Sequence, residues 1–74
     1  MTIYEKTLAL SKPYLGPAAE NFISRQCKSH LKTEAPLLMA SQLGELAKWV
    51  AIGAELIMDK GKAMELSGKI AALR

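Results

Sequence analysis

The sequence predicts an all-α fold, a small four-helix bundle with a long central third helix, in one domain spanning residues 1–74. Three observations predict it. Apolar residues recur at spacings of three and four along most of the chain, as on one face of a helix. Turn and capping residues punctuate that pattern near Pro13, Gly16-Pro17, Thr33 to Pro36 and Asp59-Lys60-Gly61. No stretch alternates apolar and polar residues with β-branched side chains, so no sheet is expected.

Thr2 and Glu5 have the spacing of a capping box, in which a hydroxyl and a carboxylate reciprocally satisfy two backbone amides. A short first helix over about Ile3 to Ser11 follows, and Pro13 should stop it by disfavouring helical geometry at Lys12. Gly16 is a tolerable N-cap for the second helix. Pro17 suits its first turn, where a missing N–H is no loss. That helix should run to about Lys32, with Ala19, Ile23, Cys27 and Leu31 on its apolar face and Phe22 at the edge.

Thr33 to Pro36 breaks and restarts the chain, and the third helix should reach about Met58, with a bend near Ser41 or Gly53. Ala40, Gly44, Ala47, Ala51 and Ala54 form a stripe of small residues beside a bulky row of Met39, Leu43, Leu46, Val50 and Ile57. Such a stripe lets another helix come close. At about 100° per residue, Ser41, Glu45, Lys48, Glu55 and Asp59 share one polar strip. Leu38, Trp49, Ile52 and Leu56 lie on or beside that strip, outside the core row. A fourth helix, about Lys60 to Leu73, presents Ala63, Leu66, Ile70 and Leu73. The expected core joins Ile23, Cys27, Leu31, Leu43, Leu46, Val50, Ile57, Leu66 and Ile70.

Seventy-four residues bury only about 60% of their unfolded surface, so a domain this small needs help to be stable. Cys27 is the single cysteine, which excludes an internal disulfide and a cysteine-rich metal site. Regular helix packing and oligomerisation remain. The segment 37–58 is broken by Gln42, Glu45, Lys48 and Glu55, too polar for a membrane span. Residues 1–12 lack the apolar core of a secretory signal. A cytoplasmic location is the expectation.

No catalytic, cofactor or metal site can be assembled. His30, the single histidine, suits a helix end where it bonds a terminal carbonyl. Cys27, His30 and Glu34 have metal-like spacing on paper, but Cys27 points into the core and a helix break precedes Glu34. Cys27 lies in the second half of its helix, where the dipole opposes a thiolate, so it reads as a small hydrophobe. The five glycines form no phosphate loop.

Two surfaces remain. Arg25, Lys28 and Lys32 place three cations on one face of helix two, the footprint of a phosphate contact. The chain carries ten Lys plus Arg against seven Asp plus Glu, a net charge of +3. Leu38, Trp49, Ile52 and Leu56 are the candidate partner-binding residues.

Tyr14-Leu15-Gly16-Pro17-Ala18-Ala19, followed by Phe22-Ile23-Ser24-Arg25, resembles the start of a small helical accessory module attached to bacterial signalling kinases and response regulators. Leu43 and Leu46 fit its leucine-patterned helix. These 74 residues themselves hold no signalling domain. The resemblance implies an accessory or interaction role and supplies no catalytic residue. The expected function is therefore a non-enzymatic interaction or regulatory module, a homodimer through its apolar helix face. The alternative is a small basic nucleic-acid-binding protein.

Overall fold

The computed structural model describes residues 2–73, and among them there are helices and turns but no strand. The α-helical segments are α1 (Ile3–Leu15), α2 (Ala19–Gln26), α3 (Leu43–Ala54) and α4 (Lys60–Ala72). They lie in three helical stretches, 3–31, 40–54 and 60–72, which corrects the expectation of four separate helices. A 3-10 turn, Gly16–Ala18, joins α1 to α2 without a loop, and a π turn, Cys27–Leu31, extends α2.

The capping box forms: the Glu5 N–H donates to Thr2 Oγ1 at 3.1 Å, and the Thr2 N–H donates to Glu5 Oε1 at 2.9 Å. Pro13 does not stop α1, which continues to Leu15 with the proline inside it. Pro13 and Ala9 are both exposed. The carbonyl that loses its i+4 donor therefore belongs to a residue that water can reach, which lowers the cost of the proline. The corner comes at Gly16 instead (φ 59°, ψ −140°), where the N–H donates to the Lys12 carbonyl. Two buried hydroxyls of α1 are satisfied locally, Thr7 on the Ile3 carbonyl and Ser11 on the Thr7 carbonyl, both at 2.8 Å.

The long third helix is also corrected. α3 has 12 residues, one fewer than α1 or α4. Pro36 seeds only a 3-10 turn, Ala35–Leu37. The backbone then extends at Leu38 (ψ 132°) and Met39 (φ −112°, ψ 156°) before a second 3-10 turn, Ala40–Gln42. That extension swings Leu38 into the core, where it is 5% exposed, while Met39 leaves the predicted core row for solvent. At the other end α3 stops at Ala54. The Leu56 N–H bonds the Gly53 carbonyl (3.2 Å) and the Ile57 N–H bonds that of Ala54 (3.0 Å), a tighter i+3 pattern. Ile57, expected in the core, is 61% exposed as a result.

Ile23, Cys27, Leu43, Leu46, Val50, Leu66 and Ile70 are fully buried, as expected, and Leu31 packs partly buried against them. Each large aliphatic so buried stabilises by about 1.5–3 kcal/mol before entropy is set against it. The small stripe works as a close-approach surface, and the helix that approaches is this chain's own α4. Ala47, Ala54 and Ala63 are buried, and Ser67 Oγ donates across the seam to the Ala47 carbonyl at 2.8 Å. Ala40 and Gly44, earlier in the stripe, are exposed. Asp59 caps α4, accepting from the Lys62 N–H at 2.9 Å.

Candidate interaction face

The predicted partner-binding residues divide three ways. Leu38 is buried in the core of its own chain, because the extended backbone at 38–39 sets its direction independently of the helical wheel. Trp49 is half-buried, its ring stacked on His30 with centroids 3.9 Å apart and planes 6° from parallel. Lys48 Nζ lies 5.3 Å from the same indole. Ile52 (51% exposed) and Leu56 (86% exposed) are open to solvent.

Ile57 joins them, since the turn after Ala54 rotates it outward. Leu56 and Ile57 line a hollow of about 350 Å³ between the end of α3 and α2, with Phe22, Arg25, Gln26 and Gly53 on its other sides. Gly53 lets the two elements meet: a Cβ there would fall 3.2 Å from Phe22 Cζ and 3.2 Å from Gln26 Nε2. Among the described residues, Arg25 is the one charged group lining this hollow. Sequence reasoning missed the hollow. Phe22 stood at the edge of an apolar face, but nothing local placed it opposite Gly53.

The cation row Arg25, Lys28 and Lys32 is exposed throughout. The structure divides it. Arg25 belongs to the apolar hollow, whereas Lys28 and Lys32 line a second, shallow depression of about 320 Å³ with Thr33 and Glu34. Lys28 falls in the π turn and Lys32 is left-handed (φ 54°, ψ 39°), so the 100° wheel that aligned the three no longer applies.

His30 is exposed and engaged by Trp49 rather than set on a terminal carbonyl. Cys27 is fully buried, and burial pushes its thiol up from the ordinary value, away from nucleophilic chemistry. Among the described residues no group of three His, Cys, Asp or Glu side chains could hold a metal ion. No helix among them is long and apolar enough to cross a membrane. No family model matches the chain, and no curated protein or solved structure matches it either.

Proposed function

We propose that this chain is a non-enzymatic, cytoplasmic interaction or regulatory module that self-associates as a homodimer through the apolar face at the end of α3. One observation carries the reading. Ile52, Leu56 and Ile57 are exposed at the end of α3, and the last two line a hollow together with Phe22 and Gly53. Leaving several large aliphatics in water forgoes stabilisation that a partner would restore, and contiguous exposed apolar surface marks contact sites. The resemblance of residues 14–25 to accessory modules of bacterial signalling proteins supports the same class. The test is sedimentation velocity from micromolar to millimolar protein. The expected result is a concentration-dependent shift to twice the monomer mass, lost in Leu56→Glu with helicity retained. A monomer throughout that range refutes self-association.

The second reading, a small basic nucleic-acid-binding protein, rests on the exposure of Arg25, Lys28 and Lys32. It predicts binding to short duplex or single-stranded oligonucleotides that collapses with salt and weakens in Lys28→Ala and Lys32→Ala. Absence of binding at low salt removes it.

A further inference from the structure

We infer that the His30–Trp49 stack is a proton-operated clasp, in which a charged His30 holds the end of the first helical stretch to α3 more tightly than a neutral one. His30 belongs to the π turn that closes the stretch 3–31, and Trp49 lies in the middle of α3. Their ring centroids are 3.9 Å apart and their planes 6° from parallel. That separation is close to the ~3.5–4.0 Å at which stacked carbons touch, so the rings lie nearly face on face. Neutral aromatic rings disfavour that arrangement, because both faces carry negative π density. Near-parallel planes also keep the imidazole N–H from pointing at the indole face. A proton on His30 reverses the electrostatics: an imidazolium over an indole is a cation–π pair, and tryptophan offers the best face for one. The observed geometry therefore suits the charged ring better than the neutral one.

His30 is exposed, so protons reach it without any opening of the fold. Imidazole is the side chain whose unperturbed charge changes between about pH 5 and 8. The charged groups on the elements around it are Arg25 in α2, Lys28, Lys32 and Glu34 in and after the turn, and Glu45 and Lys48 in α3, all exposed. Lys48 Nζ, 5.3 Å from the indole centroid, opposes a second cation on the same ring, and Glu45, one turn before Trp49, offsets it. Interactions among exposed charges are screened within about 3 Å at 1 M salt, whereas two rings in contact keep solvent out from between them. High salt therefore separates the clasp from its charged surroundings. Because protonation tightens the contact, its contribution is present in acid and lost as pH rises. The device acts within one chain and stands whether or not two chains associate.

Urea unfolding of the full chain at about pH 5 and about pH 8, in 1 M salt, tests the clasp by comparing the parent with His30→Ala. Every other titrating group is common to the two chains and cancels. The parent's advantage in folding equilibrium constant should be about two- to fivefold larger at the lower pH. Trp49 is the single tryptophan, so its emission reads this contact alone. That emission should change in one step between the two pH values in the parent and stay flat in His30→Ala. An advantage equal at both pH values, or larger at the higher one, overturns the clasp, as does a flat emission in the parent. A pH-dependent advantage that survives undiminished in a Trp49→Leu background also overturns it, since the proton would then act on another group. Should Trp49→Leu not fold, Trp49→Phe keeps a ring with a weaker face for a cation and should retain only part of the advantage; full retention there overturns the clasp equally.

Discussion

Replacing Gly16 by alanine isolates the backbone corner on which the candidate face depends. Gly16 sits at φ 59°, ψ −140°, a combination that L-residues adopt only under strain. A Cβ added there meets nothing within 4 Å, so sterics with the rest of the chain contribute no penalty. The whole cost is conformational, about 1–3 kcal/mol. A 74-residue domain has only about 4–11 kcal/mol of stability in hand. At about 4–8 °C per kcal/mol for a domain of this size, a 2 kcal/mol loss lowers Tm by about 8–16 °C. Gly68 is the control. It lies inside α4 and also has nothing within 4 Å of an added Cβ. There alanine should stabilise by about 0.5–1 kcal/mol through helix propensity. D-alanine at Gly16, introduced by chemical synthesis, favours positive φ and should stabilise by about 0.4–1 kcal/mol. Thermal melts followed by circular dichroism read all three. If L- and D-alanine at position 16 melt together, the corner is not held at positive φ and the account of how α2 is aimed at Gly53 is wrong.

Three further outcomes follow from named contacts. The Thr2 amide and hydroxyl hold the Glu5 carboxyl below its ordinary value of 4.5. A depressed folded-state pKa contributes stability that is present above 4.5 and lost as pH falls through the lower folded value; acid titration of Glu5→Gln should therefore show a flatter loss of stability below pH 4.5 than the parent. Cys27 should react with a thiol reagent only through opening of the fold. Its labelling should accelerate in Leu66→Ala, which removes a fully buried side chain and costs about 2–5 kcal/mol; labelling as fast as a free thiol in the native protein would contradict its burial. His30→Ala should shift Trp49 emission to the red and cost about 0.5–1.5 kcal/mol by removing the stacked ring. An unchanged emission spectrum would deny the stack.

Where local chemistry dictates structure, the sequence was sufficient. Thr2 with Glu5 caps α1 because the hydrogen bonds span only three residues, whereas Asp59-Lys60-Gly61 reads equally as the close of one helix or the cap of the next, and the structure makes Asp59 the cap of α4. The α4 core face follows a clean 3.6-residue period, so Ala63, Leu66 and Ile70 were legible as buried. The errors arise where a phase was carried across a break. A single helical phase does not hold from residue 37 to 58, because the chain is extended at 38–39 and tightens after 54. Leu38, Met39 and Ile57 all changed sides for that reason. The effect of Pro13 depends on whether the orphaned carbonyl can reach water, a property of the fold rather than of the dipeptide. Ile52 and Leu56 lie near the polar strip, so their exposure could be read from the sequence. The His30–Trp49 stack and the Phe22–Gly53 approach join residues far apart in sequence, and neither spacing nor composition encodes them.

The turn after Ala54 ties the packing of the monomer to the proposed dimer. Had α3 continued, Ile57 would have followed Val50 and Ala54, seven and three residues earlier, onto the buried face. The tighter bonds from Leu56 and Ile57 to Gly53 and Ala54 rotate it outward instead. The same turn leaves Leu56 and Ile57 lining the hollow that Phe22 and Gly53 share. The apolar face is thus created by the change of backbone geometry that ends α3, just past the glycine at which Phe22 and Gln26 approach most closely. Enlarging Gly53 should therefore be felt first by the Phe22 and Gln26 side chains that line the same hollow.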